Sequence, residues 1–326
     1  MDKFKRSLFG ALLAVMVLVG SAFAGEPVKV KVLVMAMFEI GENTGDFAGE
    51  FQHWYEGYLM ENQPYDVLGA PYPLFVADSG VAGIVTGMGK AQAAATLTAI
   101  LKDPRFDFSD AYFITSGCAG ASPERSTLGS VVWCDAVVDY ELGHSWKQSD
   151  GVSGEPTFMV MDDFRDAGYI PLNRAMAQKA YDLTKSVELS DDDKAVAYRA
   201  LYPQKAANAA PSVQMGVSVT SDAYWHGQGS SETADYICSQ YDAGTYMVTQ
   251  MEDNAFAAVL RNFGYLNRYL VVRDVVNFDG PHPDQTVKES LAASSGGFSI
   301  GMTNGFKVGS VVVDHILANP GEWSEL

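Results

Sequence analysis

From residue 28 onward, largely apolar runs of strand-forming residues alternate with segments of helical periodicity, and no other feature of the sequence restricts its fold as tightly. Val28 to Met37 (VKVKVLVMAM) alternates and then becomes continuously apolar, the pattern of a strand entering a sheet covered on both faces. The spacing of Phe47, Phe51, Trp54, Tyr55, Tyr58 and Leu59 predicts one face of a helix. Gly83 to Thr86, Ala111 to Thr115 (AYFIT), Val131 to Val138, Val213 to Val219, Tyr246 to Val248 and Tyr269 to Val276 (YLVVRDVV) read as further strands. Ala91 to Leu101, Asn173 to Val187, Thr233 to Tyr241, Thr249 to Phe263 and stretches near Val287 to Ala293 and Phe306 to Leu317 read as helices. Strands alternating with helices predict an α/β fold, a mostly parallel or mixed central sheet flanked by helices. No linker of biased composition divides the chain, so a single domain is expected over residues 25–326.

The first 24 residues stand apart. Lys3, Lys5 and Arg6 precede an apolar run from Leu8 to Val19, and Ala22-Phe23-Ala24 offers small residues where a signal peptidase reads. This predicts a signal peptide over residues 1–24, cleaved after Ala24, and a periplasmic protein. The run is too short to cross a bilayer core of about 30 Å, and no later segment is apolar for about 18 residues, so stable membrane insertion is not expected. Lys plus Arg number 22 against 40 Asp plus Glu, and the net charge of −18 would repel a polyphosphate backbone, which excludes nucleic acid as a partner. The cysteines, Cys118, Cys134 and Cys238, are odd in number and form no Cys-x-x-Cys pair. The histidines, His53, His144, His226, His282 and His315, are dispersed, so the sequence supports neither a metal site nor a cofactor.

In sheets of this kind ligands bind beyond the C-terminal ends of the strands. Four junctions there are unusual. Gly87-Met88-Gly89-Lys90 opens a helix, where N–H groups can face an anion or a polar oxygen, although Gly-x-Gly also serves ordinary tight turns. Ser116-Gly117-Cys118-Ala119-Gly120-Ala121 follows a strand with residues small enough for backbone to approach a ligand, or simply to cross compactly into a loop. Gln250-Met251-Glu252-Asp253 puts acids at a helix start, where electrostatics alone favours them. Arg273 to Asp279 (RDVVNFD) carries polar side chains at the exit of an apolar strand.

Taken together, these junctions resemble, in order and approximate separation, those of the nucleoside phosphorylase and nucleosidase superfamily. Gly87 to Ala95 resembles the Gly-x-Gly-Lys helix start of methylthioadenosine nucleosidases. Thr115 to Gly120 is similar to their Asn-Thr-Gly-Ser-Ala-Gly loop, Leu128 to Val132 to the Val-Gly-Asp strand that follows, Val219 to Tyr224 to the loop with the base-stacking aromatic, and Gln250-Met251-Glu252 to the Glu-Met-Glu ribose clamp. Met37-Phe38-Glu39, Tyr198 to Pro203, Tyr224-Trp225-His226-Gly227 and the stretch from Val272 to Asp279 look most like the purine nucleoside permease family within it. The resemblance spans residues 28–295.

It implies a nucleoside phosphorylase-like fold and, for Glu252, a grip on the ribose 2′- and 3′-hydroxyls, since one carboxylate accepts from two adjacent donors. It implies that Met251 packs on the sugar and that Tyr224 or Trp225 stacks on the base. Gly117, Cys118 and His226 from the same stretches join them on the substrate. Asn277 falls where the methylthioadenosine nucleosidases carry an acid that protonates the purine. An amide cannot deliver a proton but suits N7 and O6 of a 6-oxopurine; Asp279 and His282 are then the reserve groups for proton delivery. Thr115 stands where the bacterial phosphorylases have an Arg, and the first loop offers Glu39 and Glu42 rather than a phosphate-binding Arg. Acids there favour water over phosphate as nucleophile, with Glu42 or Glu39 as general base. The expectation is a purine nucleoside N-ribosylhydrolase, dimeric or larger by resemblance. The alternatives are a non-catalytic nucleoside-binding protein that assists uptake and a phosphate-dependent phosphorylase.

Overall fold

In the computed structural model of the protein, which describes residues 25–326, ten strands form one mixed sheet. The expected leader and its cleavage site after Ala24 lie outside the described residues. In chain order the strands are β1 (Val32–Ala36), β2 (Pro64–Tyr65), β3 (Leu74–Val76), β4 (Val81–Val85), β5 (Tyr112–Ala121), β6 (Val131–Asp139), β7 (Tyr169–Pro171), β8 (Val213–Thr220), β9 (Tyr246–Gln250) and β10 (Tyr269–Phe278). Their order is β7-β6-β8-β9-β5-β1-β4-β3-β2, and β10 pairs with both β5 and β6. β5, β10, β6, β8 and β9 therefore close on themselves, and the pairs β9–β5 and β10–β6 are the antiparallel contacts in that ring.

Apolar side chains on alternate residues of the long strands feed two layers. Leu33, Phe113 and Val132 pack with Leu97 of α1 (Lys90–Lys102) and Leu260 of α4 (Asp253–Phe263). Val34, Ile114 and Trp133 face the other way, toward Met176 of α2 (Arg174–Thr184) and Val312 of α5 (Gly297–Ala318). The fifth long helix, α3 (Gln228–Tyr241), covers β8 with Ile237 and Cys238. The α/β expectation, a mixed central sheet flanked by helices, holds.

Several boundaries differ from the sequence reading, each for a physical reason. Ser116 to Ala121, read as a loop, continues β5, because Gly120 is paired by Thr249 of β9 on one side and Asn277 of β10 on the other. β10 likewise runs two residues past Val276, so Asn277 sits on the strand rather than after it. The helix predicted from Phe47 begins only at Gln52 and continues as a wide turn through Leu59; Phe47 is exposed and stacks on Phe298. α5 starts nine residues before Phe306, at Gly297.

Candidate active site

Where β5, β9 and β10 end, their strand-end residues wall a cavity lined also by Met37, Phe38, Glu50, Met88, Tyr224 and Trp225. Glu50 ends the loop between β1 and the following helix, and its carboxylate is fixed by two backbone donors, Met37 N–H to Oε2 (2.7 Å) and Cys118 N–H to Oε1 (2.8 Å). It is 6% exposed. Burial, reinforced by the nearby Glu252 and opposed by Arg273, pushes its carboxyl up to about 8.

Glu252 enters from the N-terminus of α4. One oxygen accepts the Gly89 N–H (2.9 Å) and the other meets the Arg273 guanidinium (3.2 Å). Gly89 holds φ at +86°, a conformation open to glycine, and this turns the first N–H groups of α1 toward the cavity. The neighbouring Lys90 N–H is taken by Asp222 Oδ1 (2.8 Å), so the α1 terminus that could have met an external anion is satisfied by the protein's own carboxylates. Burial raises the Glu252 carboxyl, with Arg273 opposing that rise.

Arg273 is 1% exposed and fully engaged. Its Nη2 reaches Asp253 Oδ1 at 2.5 Å as well as Glu252, Nε lies 3.2 Å from both Asp253 oxygens, and Nη1 donates to the Cys118 carbonyl (3.2 Å). Among the described residues that line the cavity it is the one permanent cation, and two carboxylates neutralise it.

At the other end, Asp279 is 2% exposed and accepts from the hydroxyls of Thr249 (2.8 Å) and Tyr246 (3.4 Å). Asn277 donates from Nδ2 to the Phe278 carbonyl (3.1 Å). Tyr224 is 60% exposed at the mouth, and Trp225 stacks on Tyr140 at 5.2 Å between ring centroids.

The structure thus brings Cys118, Tyr224, Trp225, Met251, Glu252, Asn277 and Asp279 to one cavity, and Gly117 packs beneath it against Glu50. Four expected residues lie elsewhere. Glu39 turns back on its own loop, where its two oxygens accept the backbone N–H groups of Ile40, Gly49, Phe51 and Gln52; it is a clasp for the helix start, not a cavity wall. Glu42 is exposed on the same loop, outside the cavity. His226 bonds the Ser290 hydroxyl at 2.9 Å in a small adjoining hollow that shares Tyr224 and Asn277. His282 packs edge-on against Tyr198 and Tyr202.

Sequence reasoning missed Glu50, Thr249 and the anchoring role of Arg273. For Glu50 the one signal was an acid enclosed by Gly49 and Phe51 at the edge of a helix. The loop of residues 39–49 displaces it far from the strand end where an acid was sought.

The cavity's walls are the stretches on which the resemblance rested, and a family model described as "Purine nucleoside permease (NUP)" matches residues 29–325. The chain belongs to the purine nucleoside permease family. This permease-family chain is 28% identical over 268 residues to a probable purine nucleoside permease of Schizosaccharomyces pombe, covering 74% of its own length and 77% of the relative's. It is 26% identical to the purine nucleoside permease of Candida albicans, of which it spans 64%. Among solved structures it is similar to the 5′-methylthioadenosine/S-adenosylhomocysteine nucleosidase of Neisseria meningitidis in complex with methylthio-immucillin-A (14% identity, TM-score 0.55, 87% of this chain and 98% of that one). It is also similar to the futalosine hydrolase of Helicobacter pylori (14% identity, TM-score 0.57, 88% and 98%). At such identities the likeness is one of fold. Among residues 25–326 no helix is long and apolar enough to cross a membrane.

Proposed function

We propose that this chain binds purine nucleosides and cleaves their N-glycosidic bond with water. The observation that carries the reading is the arrangement of Glu50 and Glu252, two buried carboxylates in one cavity whose guanidinium is already bound by Asp253 and Glu252. Each Glu252 oxygen keeps a lone pair after its contact with Gly89 or Arg273, so the carboxylate can accept from both hydroxyls of a ribose diol. Glu50, aimed by two backbone donors, takes the proton of a water attacking C1′ and offsets the positive charge that develops on the sugar. It takes the role that the sequence suggested for Glu39 or Glu42. Among the described residues lining the cavity no unpaired guanidinium is left to receive a phosphate, which supports hydrolysis over phosphorolysis. Met251 lies against the sugar and Tyr224 covers the base.

Product analysis of inosine incubated with the chain tests the reading. Free hypoxanthine and free ribose in phosphate-free buffer are expected; release that requires phosphate, with ribose 1-phosphate as product, would make the chain a phosphorylase. A second reading, capture of a nucleoside without cleavage, draws on the permease names of the curated relatives and on the amide at Asn277. It predicts tight inosine binding in calorimetry with the nucleoside recovered intact. Placement in the periplasm rests on residues 1–24 as a leader, and a homo-oligomeric state on family resemblance.

A further inference from the structure

On the reading above, Tyr224 covers the base from a loop, residues 221–225, that follows β8, so its effect depends on what holds that loop. Two neighbouring residues from the turn after β6 hold it. The Tyr140 ring stacks on Trp225, with centroids 5.2 Å apart. Glu141 takes the polar groups: Oε1 accepts the Ser221 hydroxyl (2.8 Å) and the Ala223 N–H (3.0 Å), and Oε2 accepts the Asp222 N–H (3.2 Å). The three residues before Tyr224 therefore end on one carboxylate. Glu141 is not among the residues that line the cavity, so this tether lies outside the groups that would touch a nucleoside.

The tether is anchored at the sugar end. Lys90, the first residue of α1, donates from Nζ to Glu141 Oε2 and to both oxygens of Asp139 (3.1 and 3.3 Å), and its backbone N–H goes to Asp222 of the same loop (2.8 Å). Asp139, 5% exposed at the end of β6, also accepts the Asn254 amide (2.7 Å) from the first turn of α4, two residues after Glu252. A chain of polar contacts thus runs from the helix start that carries Glu252, through Asp139 and Lys90, to the loop that carries Tyr224. Burial would raise the Glu141 carboxyl, but the hydrogen bonds from Lys90 and the loop hold it below the ordinary carboxylate range, so it is ionised at neutral pH. Its side chain is 34% exposed, so its worth lies in geometry fixed by several bonds together and not in one ion pair.

We propose, resting on the reading that a purine nucleoside occupies the cavity, that Glu141 is a positioning residue for base recognition: it fixes the 221–225 loop, and through it Tyr224, at a set distance from Glu252. The assignment holds whether the nucleoside is cleaved or only captured. An amide at this position has one acceptor oxygen where the carboxylate has two. It must turn its NH2 group toward the donors of Lys90 and Asp222 or toward those of Ser221 and Ala223, and either way the loop loses its hold on one side.

Calorimetry with inosine tests this. Glu141→Gln should bind inosine about three- to tenfold more weakly than the wild type. Glu141→Asp, which keeps the charge but falls one methylene short of the loop, should lose as much, and it carries the test if the glutamine variant does not fold. Tyr224→Ala should weaken inosine about ten- to hundredfold through lost stacking. Adding Glu141→Gln to Tyr224→Ala should then change affinity by less than about twofold, because the tether acts through that ring. A merely structural role would add its full loss instead. The preference for inosine over 2′-deoxyinosine, which reads the sugar end, should be the same in Glu141→Gln as in the wild type. Unchanged inosine affinity in the Glu141 variants, a loss that adds in full to that of Tyr224→Ala, or a shrunken preference over 2′-deoxyinosine would overturn the assignment and leave the nucleoside reading standing. A wild type that binds no purine nucleoside overturns that reading and the assignment with it.

Discussion

The two ends of the cavity treat charge in opposite ways. At the sugar end, Glu252 meets Arg273 and a backbone N–H, and Arg273 is shared with the fully buried Asp253. At the base end, Asp279 lies against hydroxyls and no guanidinium or ammonium bonds to it among the described residues. Arg273 opposes the rise that burial imposes on the Glu252 carboxyl, whereas Asp279, buried among hydroxyls, is pushed up to about 7. Glu50 stands between these cases, fixed by N–H donors yet pushed up to about 8 by burial. Its base form is gained as the pH rises. On the hydrolase reading, activity on inosine should therefore climb as the pH rises to about 8 and level off above it.

Removing the base breaks the comparison most severely. Glu50→Gln should lower kcat on inosine about 10²- to 10⁴-fold while leaving its calorimetric affinity close to wild type. Next comes the cation: Arg273→Met leaves Asp253 and Glu252 facing each other without compensation and should cost about 3–5 kcal/mol in urea unfolding. A smaller effect belongs to Asp274, which sits beside Arg273 but is buried on the α5 side with Oδ2 unpartnered and a carboxyl raised to about 7 by burial. Asp274, Asp279 and Glu50 all bind their protons more tightly folded than unfolded. Stability should therefore be greatest near pH 4 and decline as the pH climbs to about 8. Asp274→Asn should flatten that decline and raise stability at pH 8 by on the order of 2 kcal/mol, read from urea curves at several pH values. The loop acids give the smallest changes. Glu39→Gln should cost about 1 kcal/mol of stability through its lost backbone bonds, and Glu42→Gln should leave both stability and kcat unmoved.

Much of this was legible in the sequence. The apolar runs of β1, β5, β6 and β10 announced themselves by composition, and Glu252 and Asp279 stood out as acids at strand or helix ends. What failed to show were features set by partners distant in the chain. Nothing local says that Ser116 to Ala121 continues a strand, because its pairing is supplied by residues more than a hundred positions later, Thr249 and Asn277. Glu39 and Glu50 are both glutamates within the same polar loop region. Only the fold reveals that one clasps four backbone N–H groups of its own loop while the other crosses to Met37 and Cys118. The helix pattern from Phe47 failed because the clasp at Glu39 delays the helix start, which frees Phe47 to stack on Phe298.

The grip of Glu252 on the sugar diol is the claim on which the rest depends, and substrate discrimination reads it without reference to fold or stability. The ratio of kcat/KM for inosine to that for 2′-deoxyinosine should favour inosine in the wild type, and Glu252→Gln should shrink that ratio about ten- to hundredfold by replacing a charge-assisted contact with a neutral one. A ratio that is the same in the variant and the wild type would show that Glu252 does not hold the diol.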